Sequence, residues 1–173
     1  MAALFAALVA VGGLFALPFW GPVPLTLQVF FVLLAGLVLG PRLGALAVAL
    51  YLLLGLVAPV YARGTSGLGV LLGPTGGYLF GFVAAAALAG LLAGRGGARP
   101  RLLLAAVVAL VPIYAFGATW LAWQLHIADV RTALLEGVLP FVPLDLLKAF
   151  VATLVASALV SLRLGLGVPV SSR

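Results

Sequence analysis

Two ionisable residues stand inside an otherwise apolar run, Phe141-Val142-Pro143-Leu144-Asp145-Leu146-Leu147-Lys148-Ala149-Phe150. Asp145 and Lys148 are spaced i, i+3, so a helix puts both on one face. Ionisable groups at such depth are costly, turn towards the interior of a helix bundle, and mark ligand or ion paths. A carboxylate beside an ammonium supplies an acceptor and a donor, which suits a ligand carrying both N–H and C=O groups. The competing reading is a structural ion pair, or a lysine that snorkels to the surface. Ala149, Ala152 and Ala156 share the face and make it narrow, which favours inward packing.

The run Leu72-Gly73-Pro74-Thr75-Gly76-Gly77-Tyr78-Leu79-Phe80-Gly81-Phe82 is the most distinctive in the chain. A phosphate-binding loop needs Gly-Lys-Ser/Thr after four spaced residues, and the sole lysine is Lys148, so no ATP site is encoded. Pro74 is placed to open a helix, leaving Thr75 and the glycine amides to face a ligand or water. Gly73, Gly77, Gly81, Ala85 and Ala89 form a small-xxx-small packing stripe. Thr26 and Gln28 either hydrogen-bond a ligand or cap a helix. Arg63 either draws in an anion or is simply solvated. Trp120 and Trp123 read as an interfacial aromatic belt, with His126 beside them. Ala2, Ala6 and Ala10, with Ala3 and Ala7 alongside, form a smooth groove that fits internal packing or a second membrane subunit. Gly36, Gly40 and Gly44 form a third small-residue stripe.

The elements that position these residues follow from composition. Of 173 residues, 66% are apolar and only 7% are charged. A soluble domain carries roughly 25% charged residues. A soluble enzyme and a disordered chain are therefore excluded. A bilayer helix takes about 20 apolar residues, and proline and glycine clusters divide the sequence into six such segments. They are expected at about 1–17, 25–40, 43–58, 78–93, 102–125 and 138–162, with a kink at Pro112. The N-terminus is apolar from Ala2 with no basic stretch before it, so it reads as a first span, not a cleaved signal peptide. Pro18 to Pro24, Tyr61 to Gly77 and His126 to Glu136 are expected as connecting segments. The architecture expected is an all-α membrane protein, one domain over 1–173 with six transmembrane helices in a compact bundle.

Charge placement suggests an orientation. Arg42, Arg95, Arg99, Arg101, Arg163 and Arg173 fall on one side, Arg63 and Arg131 on the other. The positive-inside rule then puts both termini in the cytoplasm and the two unusual loops outside. The net charge of +6 is spread along the chain, not gathered into a nucleic-acid patch. Cysteine is absent and histidine occurs once, which removes disulfides, thiolate chemistry and a histidine-built metal site. No nucleophile–base set suggests an enzyme. Membrane lipid is the surrounding partner.

Four stretches together resemble one family: Pro22-Val23-Pro24-Leu25-Thr26-Leu27-Gln28, Leu39-Gly40-Pro41-Arg42-Leu43-Gly44, Leu72 to Leu79 with Gly81-Phe82, and Pro143-Leu144-Asp145-Leu146-Leu147-Lys148. They are similar to BioY, the biotin-binding S components of energy-coupling factor (ECF) transporters. The resemblance covers nearly the whole chain in order. It implies a six-helix bundle in a prokaryotic cell membrane that takes biotin from outside, works with an ECF T subunit and two ATPase subunits, and needs no cofactor. It implies that Asp145 and Lys148 contact biotin, that Tyr78 and Gly73, Pro74, Thr75, Gly76 and Gly77 line the pocket, and that Thr26 and Gln28 belong to a closing loop. Arg63 becomes a candidate for the biotin carboxylate. The stripe of Ala2, Ala6 and Ala10, with Ala3 and Ala7, becomes the surface offered to the T subunit. Leu144 departs from the glycine that many relatives carry there. An S component for another vitamin, such as thiamine or riboflavin, and a membrane assembly protein are the alternatives.

Overall fold

A computed structural model of the protein describes residues 1–17, 23–94 and 97–165. Residues 18–22 of the proline-rich loop, and Arg95 and Arg173 of the charge count, lie outside the described residues. The chain is an all-helical membrane protein. In order run α1 (Ala2–Leu14), α2 (Gln28–Leu39), α3 (Pro41–Gly55), a 3-10 turn (Ala62–Gly64), α4 (Leu68–Leu72), α5 (Gly76–Ala93), α6 (Arg99–Val108), α7 (Leu110–Gln124), α8 (Val130–Gly137) and α9 (Val142–Gly165). Among the described residues, three stretches are long and apolar enough to cross a membrane: Gly76–Ala93, Arg99–Gln124 and Val142–Leu162. Helices α1, α2 and α3 are shorter and apolar. Large side chains such as Leu4, Leu53, Leu91, Leu104 and Val111 point outwards, the reverse of a water-facing surface.

Helix α5 runs through the middle, packed on α2, α3, α6 and α7. Its small residues make that possible. A Cβ on Gly77 would lie 2.3 Å from Trp120 Cβ, and one on Gly81 would lie 2.9 Å from Ile113 Cα, so α5 and α7 touch through their backbones. At the other end, a Cβ on Gly36 would lie 2.4 Å from the Ala86 carbonyl oxygen. Lipid gives apolar side chains no reason to prefer one another, so close packing of this kind holds membrane helices together. The Gly77–Gly81 and Gly36–Gly44 stripes are thus packing features, as their spacing suggests.

Several boundaries differ from the sequence reading, each for a physical reason. Helix α2 starts at Gln28, not at residue 25, because Leu25 is paired with Leu17 in an antiparallel bridge, N–H to O at 2.8 and 3.3 Å. Pro41 opens α3 and does not sit in a turn. Gly40 makes the turn at φ 80°, and proline suits the first helical position because its missing N–H costs nothing there. The glycine-rich stretch is not an open loop: it holds the 3-10 turn and α4. The kink expected at Pro112 appears as a break at Ala109, between α6 and α7, because proline has no N–H to donate to the carbonyl of Val108. Helix α9 starts at Val142, after a turn over 138–141, which brings Asp145 into its first turn.

The polar stretch after His126 is likewise helical. Asp129 caps α8, accepting from the backbone N–H of Arg131 at 3.2 Å and of Thr132 at 3.1 Å, and from the Thr132 hydroxyl at 3.0 Å. The Thr132 hydroxyl and these two amides hold the carboxyl of Asp129 below its usual range. A depressed carboxyl stabilises α8 fully above its unfolded value, near pH ~3.9, and loses that stabilisation as pH falls through the folded value. Acidification will therefore fray α8 first. Protection of the Arg131 and Thr132 amides, measured against their intrinsic exchange rates at each pH, will fall at low pH, and Asp129→Ala will show the same loss of protection already at pH 7.

Candidate functional site

Three of the four buried polar residues among those described, Thr26, Gln28 and Asp145, gather around one cavity, which takes in about 610 Å³ of space including its open mouth. Its walls come from five places in the chain: Val23 to Val29, Tyr61 with Ala62 and Val70, the start of α5, Ile113 and Tyr114 of α7, and Phe141 with the start of α9. The apolar wall is made by Val29, Val70, Leu79, Phe82, Ile113 and Phe141.

Asp145 and Lys148 form the charged pole. The Lys148 ammonium donates to Asp145 Oδ1 at 2.7 Å. Asp145 is 3% exposed, and the lysine nitrogen reaches it one turn along the same helix. The other carboxylate oxygen, Oδ2, accepts from the Tyr114 hydroxyl at 2.8 Å. Position also favours the charge. The first turn of a helix carries partial positive charge from its unpaired N–H groups, and a carboxylate there is stabilised. Ala149, Ala152 and Ala156 are fully buried behind the pair, as the narrow face predicts.

Thr26 and Gln28 make a second polar pole. The Thr26 hydroxyl donates to Gln28 Oε1 at 3.1 Å and accepts the Gln28 backbone N–H at 3.3 Å. The Gln28 amide nitrogen donates to the Tyr51 hydroxyl. Tyr51 lies edge-on to Tyr61, ring centres 5.6 Å apart, and the Tyr61 hydroxyl donates to the Leu52 carbonyl at 2.6 Å. Both Thr26 and Gln28 are buried, and Gln28 is the first residue of α2. They form a tied wall at the helix entrance. Tyr78 is held similarly. Its ring lies over Gly117, where a Cβ would come within 2.2 Å, and its hydroxyl donates to the Gly137 carbonyl at 2.7 Å.

The structure therefore brings Asp145, Lys148, Tyr78, Thr75, Thr26 and Gln28 to one cavity. It does not bring Gly73, Pro74, Gly76 or Gly77 there. Those residues shape the entry to α5. A Cβ on Gly76 would lie 1.8 Å from the Leu71 carbonyl oxygen. The Gly73 carbonyl accepts from the Trp120 indole N–H at 2.9 Å. The Gly76 amide is not free for a ligand either, since it donates to the Gly73 carbonyl at 3.0 Å. Trp120 thus has a structural bond, while Trp123 beside it is exposed. Arg63 is exposed on the 3-10 turn at φ 60°, and its neighbour Ala62, not Arg63 itself, lines the cavity.

The alanine stripes of α1 are sorted by their bulky neighbours. Ala6 and Ala10 are buried with Phe5 and Val9, and Ala2 packs against the same core. Ala3 and Ala7 are exposed, next to Val11 and Leu14. Ala2, Ala6 and Ala10 therefore serve packing within the chain, and any outward small-residue surface on α1 is the Ala3–Ala7 side.

Tyr114 is the site residue that sequence reasoning missed. A signal existed. A tyrosine within a span must find a partner for its hydroxyl, because hydrocarbon offers none. A buried carboxylate with one lysine likewise needs a second donor.

Comparison with known proteins agrees with this architecture. The BioY family model matches residues 1–164. The biotin transporter BioY of Thermotoga maritima is 48% identical over 156 residues, covering 90% of each chain. The probable biotin transporter BioY of Pyrococcus horikoshii is 46% identical over 160 residues, covering 92% of this chain and 93% of its own. A crystal structure of the S-component for biotin from an ECF-type ABC transporter superposes with a TM-score of 0.82 at 28% identity, over 91% of this chain and 87% of that one. By its sequence over nearly its whole length, and by its fold, the chain belongs to the BioY family.

Proposed function

We propose that this protein is the biotin-capturing S component of an ECF transporter, a multi-pass membrane protein of a prokaryote and not an enzyme. The observation that carries the reading is the cavity: a buried carboxylate and ammonium at one pole, an amide and hydroxyl at the other, and apolar walls between. Biotin has a ureido head with two N–H donors and an acceptor oxygen, an apolar thioether ring and an anionic tail. The carboxylate of Asp145 accepts from ureido N–H, the ammonium of Lys148 donates to an oxygen, and Tyr78, Phe82 and Phe141 enclose the ring.

In this reading the whole chain is one domain. The short helices α1, α2 and α3 join the three long stretches as six spans, with both termini cytoplasmic and the cavity opening outwards. Orientation is supported by Arg42, Arg99 and Arg101 lying opposite Arg63 and Arg131. The sequence has no nucleotide-binding loop, so uphill uptake takes its energy from separate T and ATPase subunits. The exposed Ala3–Ala7 side of α1 is the smooth surface available to such a subunit.

Titration of the detergent-purified protein with labelled biotin tests the reading. Saturable binding is expected, displaced by unlabelled biotin and not by thiamine or riboflavin. Displacement by either of those vitamins would make this an S component for a different ligand. A flat titration would point to an assembly role.

A further inference from the structure

Each oxygen of the Asp145 carboxylate has its own donor: Lys148 holds Oδ1 at 2.7 Å and Tyr114 holds Oδ2 at 2.8 Å. The two donors come from different helices. A carboxylate bonded at one oxygen can still turn about its terminal torsion, whose energy surface is broad. One bonded at both ends to separate helices cannot. Tyr114 is partly buried and packs against the core. It follows Ile113, whose side chain is buried, and lies two residues beyond Pro112 in the helix that restarts after the Ala109 break.

We propose that Tyr114 is a positioning residue that sets ligand specificity, by locking the rotation of Asp145 so that its remaining lone pairs face the cavity at a fixed angle. A ligand N–H meets a fixed acceptor. A ligand oxygen in the same place meets a fixed negative charge that cannot turn away. Rejection of near-isosteres therefore comes from the rigidity of the carboxylate as much as from its charge. Each oxygen keeps a lone pair free of its protein donor, so ligand binding needs neither donor to leave.

The inference rests on the biotin reading, and its test separates the two. Affinities are measured for biotin and for the two analogues in which one ureido N–H is replaced by an oxygen atom, in the wild type and in Tyr114→Phe. The wild type is expected to favour biotin strongly over at least one analogue. In Tyr114→Phe that preference is expected to shrink about tenfold, the order of one hydrogen bond's net effect, because the carboxylate can now swing away from the oxygen. Equal weakening of biotin and analogues, with the ratio unchanged, would make Tyr114 merely structural and overturn the proposal. So would unchanged affinities throughout. Wild-type protein that binds no biotin would overturn the biotin reading itself, and the Tyr114 assignment with it. The thermal midpoint of Tyr114→Phe, measured alongside, is expected to fall by a few degrees, since Oδ2 loses a donor while phenylalanine fills the same space, and the ratio of affinities is read on the folded protein.

Discussion

Asp145→Asn is expected to lose biotin affinity by roughly two to three orders of magnitude, read by titration in detergent. The substitution keeps the shape of the side chain and reverses half of its chemistry. Oδ1 at present accepts the Lys148 ammonium and Oδ2 the Tyr114 hydroxyl. An amide can accept at one end only, and its NH2 end would face a donor. A hydrogen bond to a charged group contributes about 1.5–3 kcal/mol, and removing one partner of a buried ion pair costs about 3–5 kcal/mol because the other charge is left alone. At about 1.4 kcal/mol per tenfold, the larger of these costs corresponds to about two to three and a half orders of magnitude, and the expected loss is taken from its lower part. Lys148→Ala should fail similarly. The triple variant Asp145→Leu/Lys148→Met/Tyr114→Phe, which also removes the hydroxyl that would lose its acceptor, separates binding from folding. Apolar replacement of a whole buried pair is often neutral or stabilising, so this variant should melt near the wild-type temperature and still bind no biotin. Wild-type affinity in Asp145→Asn would remove the pair from the site.

The second large effect concerns packing. Gly77→Ala places a methyl carbon 2.3 Å from Trp120 Cβ and 2.4 Å from the Phe116 carbonyl oxygen. Neither atom can rotate aside, since one is fixed to the backbone and the other belongs to it. Helices α5 and α7 must separate, and the Trp120 indole would then leave the Gly73 carbonyl. Overpacking of this kind costs about 1–3 kcal/mol, which at about 2–4 °C per kcal/mol for a chain of this size lowers the melting temperature by roughly 2–12 °C. Gly69→Ala is the control. Nothing lies within 4 Å of its added methyl, and in α4 alanine is a better helix former than glycine by about 1 kcal/mol. Its melting temperature should hold or rise. If both variants melt alike, close approach at Gly77 is not what holds α5 to α7.

The all-helical membrane class was legible because a chain so poor in charge and so rich in apolar runs cannot cover a water-facing surface. Asp145 and Lys148 stood out for the same reason. What stayed hidden was tertiary. The late start of α2 depends on Leu25 pairing with Leu17, and no periodicity announces a single bridge. Helix α8 was missed although Asp129 and Thr132 carried a capping signature, because the segment's polarity was weighed above its cap. In α1 the alanines occur on two adjacent stripes, and Phe5 and Val9 decide which one turns inwards. The Gly73–Gly77 run was distinctive for its backbone and not for its ligand contacts: only Thr75 reaches the cavity, while Gly76 and Gly77 let other atoms come close. Tyr114 was one of four tyrosines, and only the folded chain shows that its hydroxyl meets Asp145.

The balance of charge in the cavity has an electrical consequence. Its lining holds one carboxylate and one ammonium, bonded to each other. Moving an elementary charge across the bilayer involves about 2.3 kcal/mol per 100 mV of membrane potential. An opposed pair that moves together contributes nothing to that work. The membrane potential therefore exerts no net force on the pair itself. Within the cavity, the voltage would act only on the charge that a ligand itself brings.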